Sequence, residues 1–119
     1  LSTPAALSGR LSHTFDFGGP AITLDTACSS SLTALRAALD ALQNGSIVLG
    51  LVGAANVLLS QAMSISLGKA GMLSSTGRSR PFDANADGYV RGEGGASLVL
   101  RSDPGHASAI GSLQTVATN

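Results

Sequence analysis

The stretch ITLDTACSSSLTALRAALDALQNG, Ile22 to Gly45, decides how the rest of the chain is read. Leu32, Leu35, Leu39 and Leu42 recur at intervals of three and four, the spacing of one helix face, while Arg36, Asp40 and Gln43 form a narrow opposite stripe. Alanines at 34, 37, 38 and 41 raise helix propensity and keep the girth small. Gly45 suits the left-handed position after a last turn. The pattern predicts a mostly buried helix from Ser29 onward. It is preceded by a short predicted strand, Ile22 to Thr26, and the only cysteine, Cys28, stands at the junction.

Working outward, the segment SIVLGLVGAANV reads as a strand apolar on both faces, the pattern of a parallel sheet covered by helices on each side. Upstream, Leu7 to Phe15 is weakly periodic, and Gly18, Gly19 and Pro20 punctuate the chain before Ala21. Downstream, Gln61 to Ala70 is a helix candidate, LSSTGRSRPFDANADGYVRGEGG a long loop and ASLVLR a strand, with a last strand expected within Ala109 to Thr118. Strands alternating with helices predict an α/β layered fold.

Composition narrows the function classes. The 119 residues suit one domain or a slice of a larger one. With 44% hydrophobic and only 12% charged residues, the sequence is core-forming, not disordered. Seven basic residues balance seven acidic ones, and only Phe15, Phe17, Phe82 and Tyr89 are aromatic, so no nucleic-acid footprint or stacking platform is expected. The longest apolar stretch, Ile47 to Leu59, is short of the roughly 20 residues that cross a bilayer and contains Asn56, so no membrane partner is expected. One cysteine makes neither an internal disulfide nor a thiolate metal site, which fits a reducing, cytoplasmic setting. No signal peptide is seen, and both ends read as cut.

A thiol at the first turn of a helix meets unpaired backbone N–H groups and the positive end of the helix dipole, which together favour its anionic form. The same N–H groups suit an oxyanion on a carbonyl carbon that the sulfur attacks. Small neighbours, Ala27 and Ser29 to Ser31, leave room for a substrate. Taken alone, these residues leave two readings open: a nucleophile, or a small buried hydrophobe, the commonest fate of a free cysteine. The three serines lack a Gly-x-Ser-x-Gly elbow and are expected to satisfy the helix start. Asp25 is expected to point away along the strand, since a carboxylate beside the thiol would oppose its ionisation.

The segment DTACSSSLTAL resembles the nucleophile segment of β-ketoacyl synthases, in particular the ketosynthase domains of modular type I polyketide synthases. The blocks GGPAITLDTACSSSL, GLVGAANVLLS and KAGMLSSTGRSRPFDANADGYVRGEGGASLVLRS look like successive blocks of that family in order and spacing, with poorest agreement between Asp103 and Ser112. The resemblance implies a thiolase-like layered α/β/α fold, of which residues 1–119 supply most of the N-terminal half. It implies that Cys28 accepts an acyl chain from a carrier-protein phosphopantetheine thioester. The acyl group then passes to the carbanion left by decarboxylation of a malonyl-type extender. No metal or bound redox cofactor is implied; the partners implied are an acyl carrier protein and a second copy of the synthase, with Ile22 to Thr26 near the dimer interface. The family's two catalytic histidines lie in His-Gly-Thr-Gly and Gly-His segments that this sequence lacks, so the piece alone is expected to be inactive and, with the missing half's interface exposed, to aggregate.

His13 is expected to pack or hydrogen-bond locally, and His106 to lie in a solvated turn. Asp83, Asn85, Asp87 and Gly88 occupy positions one, three, five and six of an EF-hand loop, but Gly94 stands where the bidentate Glu is needed and Glu93 comes one residue early. The loop is therefore expected to be structural, its carboxylates accepting from the backbone and from Arg78, Arg80 and Arg91. Glycines 92, 94 and 95 are a weak phosphate-cradle signal. Two alternatives stand beside the synthase reading: another thiolase-superfamily enzyme, and a non-enzymatic acyl- or calcium-binding module.

Overall fold

The structure is a computed structural model that describes residues 3–103, 105 and 107–117. Helix α1 (Ala5–Thr14) starts at Pro4, whose missing N–H costs nothing at a helix start, and ends with His13 in its last turn. A single 3₁₀ turn, Ala27–Ser29, leads into α2 (Ser30–Gln43). Strand β1 (Leu49–Asn56), helix α3 (Gln61–Lys69) and strand β2 (Gly94–Arg101) follow. Ser60 caps α3 by accepting from the Ala62 amide at 3.2 Å. Gly45, at φ +76°, closes α2 as its spacing predicts, with the Gly45 amide on the Leu42 carbonyl and the Ser46 amide on that of Ala41.

The chain divides into two units. One runs to Ala54 and resumes at Ala96; the other is Ala55–Gly95. In the first, β1 up to Ala54 and β2 from Ala96 belong to a two-stranded sheet. The Val48 carbonyl lies against the Ser102 amide, and Gly53 lies beside the Ala96 carbonyl, so the strands run antiparallel. This corrects the expected parallel arrangement. A run apolar on both faces reports two-sided burial and carries no information about strand direction. The faces do differ: a Cβ built on Gly50 would stand 3.7 Å from the Ala38 Cβ of α2, whereas Leu49, Leu51 and Val99 line an open apolar groove with Phe15 and Phe17. Those two rings stack 5.6 Å apart.

Among the described residues the buried apolar side chains are Leu39, Leu42 and Val116. The Val116 carbonyl accepts from Arg36 Nη1 at 2.8 Å, and Arg36 also pairs with Asp40 one turn on, which raises its pKa. Helix α2 is thus covered only in its C-terminal half, with Leu32 still 49% exposed, in place of the mostly buried helix expected. Ile22 to Thr26 forms no strand, because a strand needs a ladder partner and none pairs with it among the described residues. Residues 109–117 are likewise irregular. Of the other features singled out in the sequence, His13 is exposed and His106 lies outside the described residues.

Candidate active site

Cys28 is exposed, in the middle of the 3₁₀ turn that opens α2. The turn is tight because Ala27, a residue with a Cβ, adopts φ +56°, in the left-handed region that glycine normally fills. Side chains hold it there. Asp25 Oδ1 accepts from the Ala27 amide at 3.0 Å. Ser30 Oγ accepts from the Thr26 amide at 2.9 Å and donates to the Ala27 carbonyl at 2.6 Å. Ser29 Oγ donates to the Thr26 carbonyl at 2.9 Å and meets the Thr26 hydroxyl, which also meets Thr33 Oγ1. The sequence DTACSS thus supplies nearly every polar side chain the turn uses.

Two expectations change here. Asp25 does not point away along a strand; with no ladder to fix its orientation, the carboxylate folds back onto the amide two residues on, an Asx-type turn. Nor does Ser29 cap α2 in the usual way, since its backbone is already helical and its hydroxyl turns back to Thr26. The signal that sequence reasoning passed over was the Asp-Thr pair itself: Asx and hydroxyl side chains cluster where backbone departs from strand and helix geometry.

The loop from Leu73 to Glu93 belongs to the second unit and is organised around Asp87. Its Oδ1 accepts from Ser74 Oγ at 2.7 Å and Thr76 Oγ1 at 3.3 Å, and its Oδ2 from Ser75 Oγ at 3.0 Å and the Thr76 amide at 3.2 Å. These bonds, that from Ser74 foremost, hold its pKa down at about 2 from 3.8 against an opposing desolvation effect. Next to it, Gly88 has φ +130°, and a Cβ there would fall 2.6 Å from the Leu73 carbonyl carbon and the Ser74 nitrogen. Tyr89 then donates to the Met72 carbonyl and accepts from the Ser74 amide.

The acidic residues of the EF-hand-like segment do not converge. Asp83 accepts from Asn85, Asp87 from the hydroxyls, and Glu93 Oε1 from the Leu58 amide at 2.6 Å. Among the described residues no group of three or more His, Cys, Asp or Glu is placed to hold a metal ion. The arginines depart from expectation too: Arg80 Nη1 donates to the Asn85 carbonyl and Arg91 Nη1 to Ser64 Oγ, not to carboxylates. The hydroxyls of Ser74 to Thr76, next to Asp87 across the turn, meet its carboxylate first.

Comparison with known proteins identifies the family and the fold. Residues 2–105 match the family profile described as Beta-ketoacyl synthase, N-terminal domain, and the match ends where agreement with the family weakens in the sequence. The chain is 52% identical over 96 residues to the highly reducing polyketide synthase acrA of Aspergillus aculeatus, covering 81% of this chain and 4% of that protein. It is 51% identical over 96 residues to the fusarin C synthetase of Gibberella fujikuroi, covering 81% of this chain and 2% of that protein. Among solved structures, the oxazolomycin ketosynthase domain OzmH KS7 of Streptomyces albus JA3453 superposes with a TM-score of 0.82 at 42% identity, covering 85% of this chain and 18% of that one. The ketosynthase from module 6 of the bacillaene synthase of Bacillus subtilis 168 gives 0.81 at 41%, covering 83% and 18%. The fold is therefore the thiolase-like fold of those domains, in part.

Proposed function

The chain belongs to the β-ketoacyl synthase family, as a ketosynthase region of the polyketide synthase type, and we propose that Cys28 is the nucleophile of a condensing enzyme of which these 119 residues are one part. The deprotonated sulfur attacks the carbonyl carbon of an acyl thioester on a carrier protein's phosphopantetheine arm. The tetrahedral adduct collapses, the new C–S bond stays, and the pantetheine thiolate leaves to take up a proton. A malonyl-type thioester then loses carbon dioxide. The enolate carbon attacks the acyl-Cys28 carbonyl, a carbon–carbon bond forms, and the Cys28 thiolate is released for the next cycle.

The observation that carries this reading is the exposed cysteine on a strained turn at a helix start. The Thr26 and Ala27 amides are committed to Ser30 and Asp25, so we place the developing oxyanion on the Cys28 amide. Stabilisation of the enolate falls to residues outside this stretch. On this reading the partners are a carrier protein and a second synthase subunit, the latter meeting the residues 22–26 that pair with no strand among the described residues.

In the full synthase, Cys28→Ala should abolish loading from an acyl-carrier thioester. Loading that survived the substitution at the wild-type rate would remove Cys28 from the reaction.

A further inference from the structure

We infer that Asp25 is a positioning residue for Cys28, acting through the Ala27 amide. The inference rests on the proposed role of Cys28 as nucleophile. Ala27 pays for its φ of +56° with steric crowding of its Cβ, so left to itself it would relax to a negative φ. Rotation about that N–Cα bond would swing the next residue, and the next residue is Cys28. Asp25 Oδ1, 3.0 Å from the Ala27 nitrogen, fixes the peptide plane on one side of the bond. Ser30 Oγ, 2.6 Å from the Ala27 carbonyl, fixes the other.

What the bond needs is an acceptor oxygen two residues before the strained amide. Asparagine keeps that oxygen and loses the charge; alanine loses both.

The test uses the full synthase, with single-turnover loading from an acyl-carrier thioester at saturating donor. Asp25→Ala should slow loading by about 10- to 100-fold, the scale of misplacing a reacting atom by about 1 Å, while Asp25→Asn stays within about threefold of wild type. The second arm is Ala27→Gly. Glycine holds a positive φ without strain, so the Asp25→Ala defect should shrink at least about fivefold when both changes are combined. A purely structural Asp25 would lower the melting temperature and leave the saturated rate unchanged, and that result overturns the inference. Equal losses in the Asn and Ala variants, or a defect undiminished beside Ala27→Gly, overturn it as well. If Asp25→Ala fails to fold, Asp25→Asn decides: a loss beyond threefold overturns the inference. Cys28→Ala is run in parallel: persistent loading there defeats the nucleophile assignment, whereas lost loading with a wild-type Asp25→Ala defeats only the positioning role.

Discussion

Replacing Gly88 by alanine should unlock the loop that follows α3. The added methyl would sit 2.6 Å from the Leu73 carbonyl carbon and the Ser74 nitrogen and 2.8 Å from the Met72 oxygen, where ordinary contact begins at 3.4 Å. All three neighbours are backbone, so relief requires one strand of the turn to retreat by about 0.8 Å, more than a rotamer change can supply. That retreat breaks the Tyr89-to-Met72 and Ser74-to-Tyr89 hydrogen bonds, now 3.1 and 3.0 Å. A side chain at φ +130° adds about 1–3 kcal/mol of backbone strain, and each lost bond about 0.5–1.5 kcal/mol. Together they give at least about 2 kcal/mol, or about 30-fold in a local opening equilibrium. Hydrogen exchange followed by mass spectrometry on the synthase should therefore show the Ser74 and Tyr89 amides losing protection by about that factor or more, while peptides of α2 exchange as before. Unchanged protection in the Gly88→Ala protein would refute the argument that this close approach holds the loop.

The remaining predictions concern the loop's carboxylates. Asp87 has a folded-state pKa near 2, below its ordinary 3.8, so its hydrogen bonds contribute fully above about pH 4 and are lost as the pH falls from there through about 2. A carboxyl-carbon NMR titration should find the Asp87 midpoint near 2, moving toward 3.8 in Ser74→Ala; a wild-type midpoint at 3.8 would contradict the bonding described. Calcium added to the synthase should produce no saturable heat and leave the Asp83 and Asp87 signals unmoved, since the acidic side chains of the segment are engaged separately. Saturable binding abolished by Asp83→Ala would restore the cation-loop reading.

Much of this was legible in the residues. The leucine spacing set α2 and Gly45 set its end, and Gln61 to Ala70 and ASLVLR matched α3 and β2 to within two residues. These features are local, fixed by periodicity and by the one residue type free to take a positive φ. What escaped depends on partners distant in sequence. Strand direction, the lack of a strand partner for residues 22–26 among the described residues and the partial burial of α2 follow from which surfaces meet, and an apolar run records only that some surface must. The site divides the same way. Cys28 and the serine run were visible as a pattern, but the fold-back of Asp25 was not, because it depends on Ala27 taking a conformation that an alanine rarely shows. Arg80 and Arg91 show the same limit: proximity in sequence suggests charge pairs, whereas the acceptors they meet in space are the Asn85 carbonyl and Ser64 Oγ.

The most direct test follows the acyl group itself. Trypsin cuts after Arg10 and Arg36 and nowhere between, so the peptide Leu11 to Arg36 carries the single cysteine of this sequence. After the synthase is incubated with an acyl-carrier thioester, the acyl mass should appear on that peptide, fragment to Cys28, and be released by neutral hydroxylamine as a thioester is. An acyl mass retained on Ser29, Ser30 or Ser31, or found only on a different peptide, would contradict the account.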